Sequence, residues 1–302
     1  MKTKEVWSVA LDFTKMDSSI LSYTRFLSTI FQPKKIHFIN VIKEVETSTY
    51  LSGEFLGYSN LLVIDQKLML EHRVSEHFKG SSVPFECHVN SGAPFDEVIN
   101  LVLNKKVDLV ITGRKKTLKG LGIVSDRLSR NLPCNFLLVP EDFEPKLNKV
   151  SVVTDFSEHS TLALQQAVEI CKSKENSNII VHHSYSVPMG YSKSGKSFEE
   201  IADIMKSNSE KQMTHWLKEI QCTADSVLTL NKDDSLENQI LNVVNENNVD
   251  LIVIGSKGQT KASLAMLGSN TMKLLKSNDV VPLLIVKIPG ENLDLLEALK
   301  RI

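Results

Sequence analysis

Short apolar runs rich in β-branched residues alternate along the chain with segments in which apolar residues recur at helical spacing. The run Leu251-Ile252-Val253-Ile254 is apolar at every position, which is typical of a strand covered on both faces of a sheet. After Ser157, a good N-cap, apolar residues instead recur at helical spacing as far as Ile170. The alternation of the two patterns predicts βαβ units around a parallel sheet.

Each half of the chain contains five predicted strands. In the first half we expect them near residues 5–11, 35–41, 85–90, 109–112 and 135–139. In the second half we expect them near residues 149–153, 178–183, 227–231, 251–254 and 282–287. Helices of the second half are predicted to begin at Ser157, to lie within 198–220, and to begin again at Ser235.

The chain contains one sequence pattern twice. The segment VALDFT at 9–14 matches VVTDFS at 152–157, with an offset of 143 residues. The segment VDLVITG at 107–113 matches VDLIVIG at 249–255, with an offset of 142 residues. Two such matches in the same order predict a tandem repeat of one domain.

Length and composition are consistent with two domains. The 302 residues, of which 42% are hydrophobic, suffice for two cores of ordinary size. We expect one domain at residues 1–140 and a second at 148–290, followed by an amphipathic helical tail at 291–302.

Charge and cysteine content exclude several classes of partner. The 35 basic and 36 acidic residues give a formal net charge of −1, so no overall field attracts nucleic acid or an anionic membrane. The apolar stretch at the N-terminus is too short for a signal peptide, and no run reaches transmembrane length. We therefore expect a cytoplasmic protein. Its four cysteines are widely spaced, without a C-x-x-C pair, and are expected to be reduced thiols.

A glycine-rich segment, GSKGQTKASLAMLGS, follows the fourth predicted strand of the second domain. Because glycine lacks Cβ, Gly255 and Gly258 are expected to adopt positive φ and to turn successive N–H groups towards an anion. Gly268 and Ser269 open the next helix, whose unpaired N–H groups and dipole favour phosphate. The pattern predicts a polyphosphate site, to which Lys257 either adds positive charge or contributes nothing because it stays solvated.

The other end of such a ligand requires different groups. In a parallel sheet of strand order 3-2-1-4-5 the first and fourth strands are neighbours, so Asp155 and Gly255 flank one crevice. The Asp155 carboxylate could accept hydrogen bonds from ribose hydroxyls, or it could serve only as an acid at a helix N-terminus. An exposed backbone edge in the loop around Ser184 could pair with adenine.

The motif T-D-F-S at 154–157, combined with G-x-x-G, nine residues and G-S at 255–269, resembles the nucleotide-binding signature of the universal stress proteins. The resemblance covers both repeats. It implies Rossmann-like α/β sandwiches, each with a five-stranded parallel sheet, of the adenine nucleotide alpha hydrolase-like type. It also implies pairing of domains through the last strand, and ATP held between the aspartate and the glycine segment. The implied binding residues are Thr154, Asp155, Ser184, Gly255, Lys257, Gly258, Gly268, Ser269 and Asn270.

The first repeat departs from this signature. It lacks five residues between its fourth and fifth strands, places Lys116 where the second glycine should be, and follows Gly122 with Ile123 instead of serine. We therefore expect one competent nucleotide site per chain. Arg114 and Lys115, with Lys116, could still meet a phosphate from elsewhere.

Other chemistries are disfavoured by the motifs that the sequence lacks. It contains no Walker motif, no G-x-G-x-x-G fingerprint and no G-x-S-x-G nucleophile elbow. His182 and His183 are consecutive in a predicted strand, so they point to opposite faces and cannot chelate one ion together. We expect no catalytic residues and no metal ligands.

The sequence thus predicts a tandem universal stress protein that binds ATP or another adenine nucleotide (ADP or AMP), with or without Mg²⁺, in its C-terminal domain. It would act in a stress response as a binding or signalling protein, with slow ATP hydrolysis at most. The alternative is a nucleotide-independent scaffold, an internal pseudo-dimer that recruits a protein partner. Further homodimerisation, and another small molecule in the N-terminal domain, are left open.

Overall fold

A computed structural model describes residues 1, 5–43, 52–117, 120–174, 176–232, 234–259, 267–290 and 293, with residues 52–60 described as backbone only. The chain divides into two compact units, Met1–Pro145 (unit 1) and Lys146–Ile302 (unit 2). The predicted tail at 291–302 lies outside the described residues, apart from Leu293. No helix in the described part of the chain combines the length and the apolar character needed to cross a membrane.

Unit 1 alternates strands and helices. Its strands are β1 (Val6–Ala10), β2 (Lys35–Ile42), β3 (Phe85–Ser91), β4 (Leu109–Arg114) and β5 (Asn135–Pro140). Its helices are α1 (Met16–Phe31), α2 (Ser52–His77), α3 (Pro94–Lys105) and α4 (Ile123–Asn131). The strands are parallel in the order β3-β2-β1-β4-β5, which is the predicted 3-2-1-4-5 arrangement.

Unit 2 repeats this plan. Its strands are β6 (Lys149–Thr154), β7 (Asn178–Tyr185), β8 (Asp225–Leu230), β9 (Leu251–Gly255) and β10 (Leu283–Val286). Its helices are α5 (Glu158–Lys172), α6 (Phe198–Glu219), α7 (Leu236–Glu246) and α8 (Ser269–Ser277), with a short 3-10 helix at Tyr191–Ser194. The parallel order β8-β7-β6-β9-β10 is again 3-2-1-4-5, counted from the first strand of the unit.

The central strands form the core of each unit because helices cover both faces of the sheet. In β9 every residue is buried, as the uninterrupted apolar run predicted. The edge strand β8 has no buried residue; it begins with the exposed Asp225, two residues earlier than its apolar pattern indicated. An edge strand needs only one apolar face, so its ends are poorly marked in the sequence.

Three helices of unit 2 begin with a serine cap. The side chains of Ser157, Ser197 and Ser235 each accept a hydrogen bond from a backbone N–H of the following turn. The predicted starts of α5 and α7 are therefore confirmed. By contrast, α8 begins after Gly268 without a side-chain cap, which leaves its first N–H groups available to another acceptor.

Candidate functional site

The first and fourth strands of unit 2 end side by side. Val153 of β6 pairs with Ile254 of β9, so that Asp155, directly after the end of β6, and Gly255, the last residue of β9, lie at the carboxyl edge of the sheet. β7 lies on the other side of β6, so this edge is the switch point of the strand order. The structure thus brings together the two sequence motifs that predicted the site.

The Asp155 carboxylate contacts the glycine loop, by which we mean residues 255–269, described at 255–259 and 267–269. The backbone N–H of Gln259 donates to Asp155 Oδ2 at 2.8 Å, and Gln259 Nε2 donates to the Asp155 carbonyl oxygen at 2.6 Å. A Cβ at Gly258 would lie 2.6 Å from Asp155 Oδ2. A glycine at 258 therefore lets the loop close over the aspartate.

The space around Gly255 is too small for a side chain. A Cβ at this position would lie 2.7 Å from the carbonyl carbon of His159 and 2.8 Å from its carbonyl oxygen. The expectation that Gly255 and Gly258 adopt positive φ is wrong, because neither is among the residues with positive φ. Close approach of a neighbour, the His159 backbone at Gly255 and the Asp155 carboxylate at Gly258, explains both glycines.

The start of α8 packs against the same loop. Gly268 N–H donates to the Ser256 carbonyl oxygen at 2.8 Å, and a Cβ on Gly268 would lie 3.4 Å from Lys257 Cα. The Thr271 hydroxyl donates to the Gly255 carbonyl oxygen at 3.0 Å, which fixes the helix to the end of β9. The two ends of the glycine loop are therefore held together.

The first turn of α8 presents backbone donors beside this contact that have no side-chain cap among the described residues. Met272 N–H donates to the Gly268 carbonyl oxygen at 2.9 Å, so the N–H groups of Ser269, Asn270 and Thr271 precede the helical ladder. Ser269 and Asn270 are exposed, and Lys257 is half-buried on the adjacent loop. Backbone N–H groups and a hydroxyl thus lie at one positive helix end, with the backbone of Lys257 beside them, a combination that suits a phosphate.

The turn after β6 depends on Thr154 and a left-handed phenylalanine. The buried Thr154 hydroxyl donates to Ser160 Oγ at 3.0 Å and accepts from the Phe156 N–H at 2.9 Å. Asp155 Oδ1 accepts from the Ser157 N–H at 3.1 Å, and Phe156 has φ 61°. Thr154 therefore shapes the turn that presents Asp155, and its hydroxyl is committed to that turn.

Ser184 lies inside β7, where it pairs with Thr229 of β8. Its hydroxyl donates to Gln239 Oε1 at 2.8 Å, and the Thr229 hydroxyl donates to the same oxygen at 2.7 Å. The prediction of a loop with an exposed backbone edge at Ser184 is wrong, because β7 continues two residues beyond the predicted end at 183.

Three residues of the site are not among those that the sequence predicted. Ser256 is buried, with its Oγ 2.9 Å from His159 Nδ1, and the His159 backbone forms the wall behind Gly255. Gln259, the residue that contacts Asp155, was also missed. Neither contact has a sequence signal, since the partners are about one hundred residues apart and meet only through the pairing of β6 with β9.

The matching edge of unit 1 is closed by its own side chains. Lys115 Nζ donates to Asp12 Oδ2 at 2.5 Å, and Lys116 donates through its N–H to Glu141 and through its Nζ to Asp142. Partial burial opposes ionisation of Asp12, but hydrogen bonds from Lys115 and Thr14 outweigh it, so the pKa of Asp12 lies below its ordinary value. The basic residues that replaced the second glycine are therefore engaged within unit 1.

A cavity of about 240 Å³ remains at this edge of unit 1. Its apolar walls include Leu11, Met16, Ile20, Ile39, Val41 and Val98. Asp12, Lys43 and Lys115 also line it, and of these Asp12 and Lys43 are exposed. Because most of its lining side chains are apolar, the cavity presents few hydrogen-bond donors to a polyphosphate.

Comparison with known proteins agrees with the repeated fold. The model of the family described as "Universal stress protein family" matches residues 34–140 and 146–287. Universal stress protein MJ0577 of Methanocaldococcus jannaschii is 26% identical over 153 residues, which cover 46% of this chain and 94% of that protein.

Solved structures of other proteins resemble the whole chain, and two of them are described as universal stress proteins. A universal stress protein from Archaeoglobus fulgidus has a TM-score of 0.67 at 17% identity, covering 94% of this chain and 98% of its own. A putative universal stress protein from Pseudomonas aeruginosa has a TM-score of 0.68 at 12% identity, covering 99% of this chain and 98% of its own. At these identities the likeness concerns the fold. Since the family model matches both repeats, the chain belongs to the universal stress protein family.

Proposed function

We propose that unit 2 binds ATP or another adenine nucleotide, with the phosphates on the glycine loop and the ribose beside Asp155. One observation carries the proposal: the uncapped start of α8 packs directly on residues 256–258 and presents three N–H groups that precede the helical ladder. Among the described glycines of unit 2, a Cβ would come closest at Gly258, 2.6 Å from the Asp155 carboxylate, and at Gly255, 2.7 Å from the His159 backbone.

Six of the predicted residues would act at the phosphate end of the ligand. The N–H groups of Ser269 and Asn270, the Ser269 hydroxyl and the Lys257 ammonium group would bind phosphate oxygens. Gly255, Gly258 and Gly268 keep the approach free of side chains. These are contacts to the bound ligand, so they account for affinity and not for bond cleavage.

Asp155 would exchange one partner for another when the nucleotide binds. Its Oδ2 now accepts from the Gln259 N–H, which occupies the lone pair that a ribose hydroxyl needs. A carboxylate oxygen has two lone pairs, so a hydroxyl could share Oδ2 or displace Gln259. Displacement of Gln259 would alter the conformation of the glycine loop, which suits a protein that reports the nucleotide to a partner, whereas sharing of Oδ2 would leave the loop unchanged.

We propose no enzymatic role beyond slow hydrolysis of ATP. The groups assembled at the site are donors that bind phosphate. Efficient hydrolysis would also need a positioned water and a cationic group that stabilises the negative charge of the transition state. Mg²⁺ would bind together with a triphosphate and would be coordinated mainly by phosphate oxygens and water molecules, as is usual for this ion.

A pair of glycine variants tests the assignment. Gly268 and Gly122 occupy the same place before α8 and α4, with φ of −57° and −63°. We expect Gly268→Val to weaken binding of a fluorescent ATP analogue by at least tenfold, because the branched side chain enters the phosphate approach. Gly122→Val, in the unit without the signature, should leave the affinity within twofold of the wild type.

Both variants must first show the far-ultraviolet circular dichroism of the wild type. Equal affinity in a folded Gly268→Val variant would exclude the glycine loop as the phosphate site. No binding by the wild-type protein, freed of any nucleotide that co-purifies, would instead favour a nucleotide-independent scaffold.

A further inference from the structure

Three potential metal ligands lie on one face of unit 1, far along the chain from one another. His37 of β2 pairs directly with Glu86 of β3, and His88 follows Glu86 by two residues. Because side chains alternate along a strand, residues 86 and 88 point to the same face, and cross-strand partners share a face as well. The register of β2 with β3 therefore juxtaposes two imidazoles and a carboxylate.

The ligand atoms are close to the spacing that a metal requires. His37 Nδ1 lies 2.9 Å from His88 Nε2 and 3.7 Å from Glu86 Oε2, and His88 Nε2 lies 4.0 Å from Glu86 Oε1. In a tetrahedral zinc site with bonds of about 2.0 to 2.1 Å, ligand atoms are separated by about 3.3 Å. The two contacts to Glu86 involve different oxygens, and with one ligand atom per residue the three atoms lie within 4.8 Å of one another. A side-chain movement of Glu86 of roughly 1 Å would bring one of its oxygens to the tetrahedral spacing.

Both imidazoles are in the protonation state that binds metal. Burial, together with the neighbouring His88, lowers the pKa of His37 to about 4. Burial also lowers the pKa of His88, although Glu86 opposes this shift. Both rings are neutral at pH 7, so neither carries a positive charge that opposes a cation. The 2.9 Å contact is a hydrogen bond in which one of the two nitrogens carries the proton, so that ring must take its other tautomer when the ion binds.

The carboxylate already has a cationic partner. Lys35 Nζ lies 2.7 Å from Glu86 Oε2, and both side chains are about 40% exposed. An exposed ion pair of this kind contributes little to stability, so a divalent cation could replace the lysine at small cost. Exposure of Glu86 also provides a route for the ion from solvent.

The repeat shows that the fold does not need this cluster. The register of unit 2 places Ile180, Asp225 and Val227 at the positions of His37, Glu86 and His88. Apolar residues thus suffice where unit 1 has two histidines. The cluster also lies near the amino ends of β2 and β3, away from the carboxyl edge that holds Asp12, so it is separate from the nucleotide-site motifs.

We propose that His37, Glu86 and His88 form a binding site for one divalent transition-metal ion, with Zn²⁺ as the preferred occupant and the fourth position open to solvent. Two imidazoles and one carboxylate select Zn²⁺, Co²⁺ or Ni²⁺ over Mg²⁺ and Ca²⁺, which favour oxygen ligands. The ion would link the edge strand β3 to β2 and would stabilise unit 1.

The test is titration of the chelator-treated full-length protein with Zn²⁺ by calorimetry and with Co²⁺ by visible absorption. We expect one tight site per chain, visible absorption bands typical of four-coordinate Co²⁺, and a melting temperature that rises with Zn²⁺. Mg²⁺ should produce neither heat nor a shift in the melting temperature.

Variants of the two more accessible ligands locate the site. His88→Gln and Glu86→Gln should each weaken Zn²⁺ binding by about 10-fold to 100-fold or more, since even outer-shell partners of a metal contribute that much. The matched control is His215→Gln, which removes the histidine of an exposed pair with Glu219 on α6 (3.2 Å). This control should bind Zn²⁺ as the wild type does.

Two results would overturn the proposal. One is the absence of a tight site in the wild-type protein. The other is unchanged Zn²⁺ affinity in folded His88→Gln and Glu86→Gln variants, which would assign the binding to scattered surface histidines. Neither result bears on the proposed nucleotide site in unit 2.

Discussion

Individual glycines define the candidate site because of what surrounds them. Gly255 meets the backbone of His159, whereas its counterpart Gly113 in unit 1 meets the side chains of Met16 and Ile20. Backbone atoms at the start of a packed helix cannot move aside, but a methionine side chain can adopt other rotamers. A side chain at position 255 would therefore meet atoms that cannot move, whereas a side chain at the equivalent position 113 would meet atoms that can.

This difference predicts a measurable asymmetry. Gly255→Ala should destabilise unit 2 by about 1 to 3 kcal/mol, as overpacking of a closely packed core does. Gly113→Ala should cost unit 1 less, because Met16 can yield. Urea denaturation of both variants measures the two costs, and a larger loss for Gly113→Ala would contradict the explanation.

Some residues of the candidate site can be predicted from the sequence and others cannot. Gly268, Ser269 and Asp155 could be predicted because each lies in a motif of fixed local spacing. Gln259 and the cluster of His37 with His88 could not, because their contacts depend on the register of strands that are distant in sequence. The left-handed φ of Phe13 (58°) and Phe156 (61°) has no sequence signal either, since the residue is not glycine.

At the scale of elements, a buried polar network joins β7, β8 and α7. Thr229 donates its proton to Gln239 Oε1, so its oxygen accepts from His182 Nε2–H at 2.9 Å. His182 is fully buried, and its Nδ1 has no hydrogen-bond partner among the described residues. Burial, with His183 nearby, lowers the pKa of His182 to about 4, because a proton on Nδ1 would have no acceptor.

The lowered pKa makes stability depend on pH in a defined direction. Between pH 6.5 and about 4, His182 is protonated in the unfolded chain but neutral in the folded protein. The free energy of unfolding therefore decreases as the pH is lowered, by up to ~1.4 kcal/mol per pH unit. Above pH 6.5 the effect vanishes. His182→Gln should flatten this slope, leaving the acid dependence of His37 and the other histidines.

Urea midpoints at pH 7.0, 6.0 and 5.0 measure the slopes. Parallel pH dependence of the wild type and a folded His182→Gln variant would show that His182 titrates normally. The substitution also changes packing, but a change in packing alone lowers the free energy of unfolding by the same amount at each pH. Only the slope of that free energy against pH therefore reports the titration of His182.

The elements themselves follow closely from the sequence pattern. Fully buried strands such as β9 have continuous apolar runs, and the caps of α5 and α7 are serines at the expected positions. Errors of two residues fall at the ends of β4 and β7 and at the start of β8, where the strand continues into glycine or polar residues. There the hydrogen-bonded ladder extends the strand beyond its apolar pattern, so local hydrophobicity does not reveal its true end.

At the scale of the whole molecule, one template has diverged into two units with different chemistry. Unit 2 retains the glycine loop beside Asp155, while unit 1 pairs Asp12 with Lys115 and encloses an apolar cavity. Unit 1 alone has the cluster of His37, Glu86 and His88. Our account is that duplication allowed one copy to keep the nucleotide site and the other to acquire different ligands.

The most direct test of this account is calorimetric titration of the nucleotide-free full-length protein with ATP and Mg²⁺, in which affinity and stoichiometry are measured together. One molecule of ATP per chain is the predicted result, since only unit 2 has the complete glycine loop. Two molecules per chain would show that unit 1 can release Asp12 from Lys115 and bind nucleotide as well. No binding would contradict the central claim that the glycine loop of unit 2 is a nucleotide site.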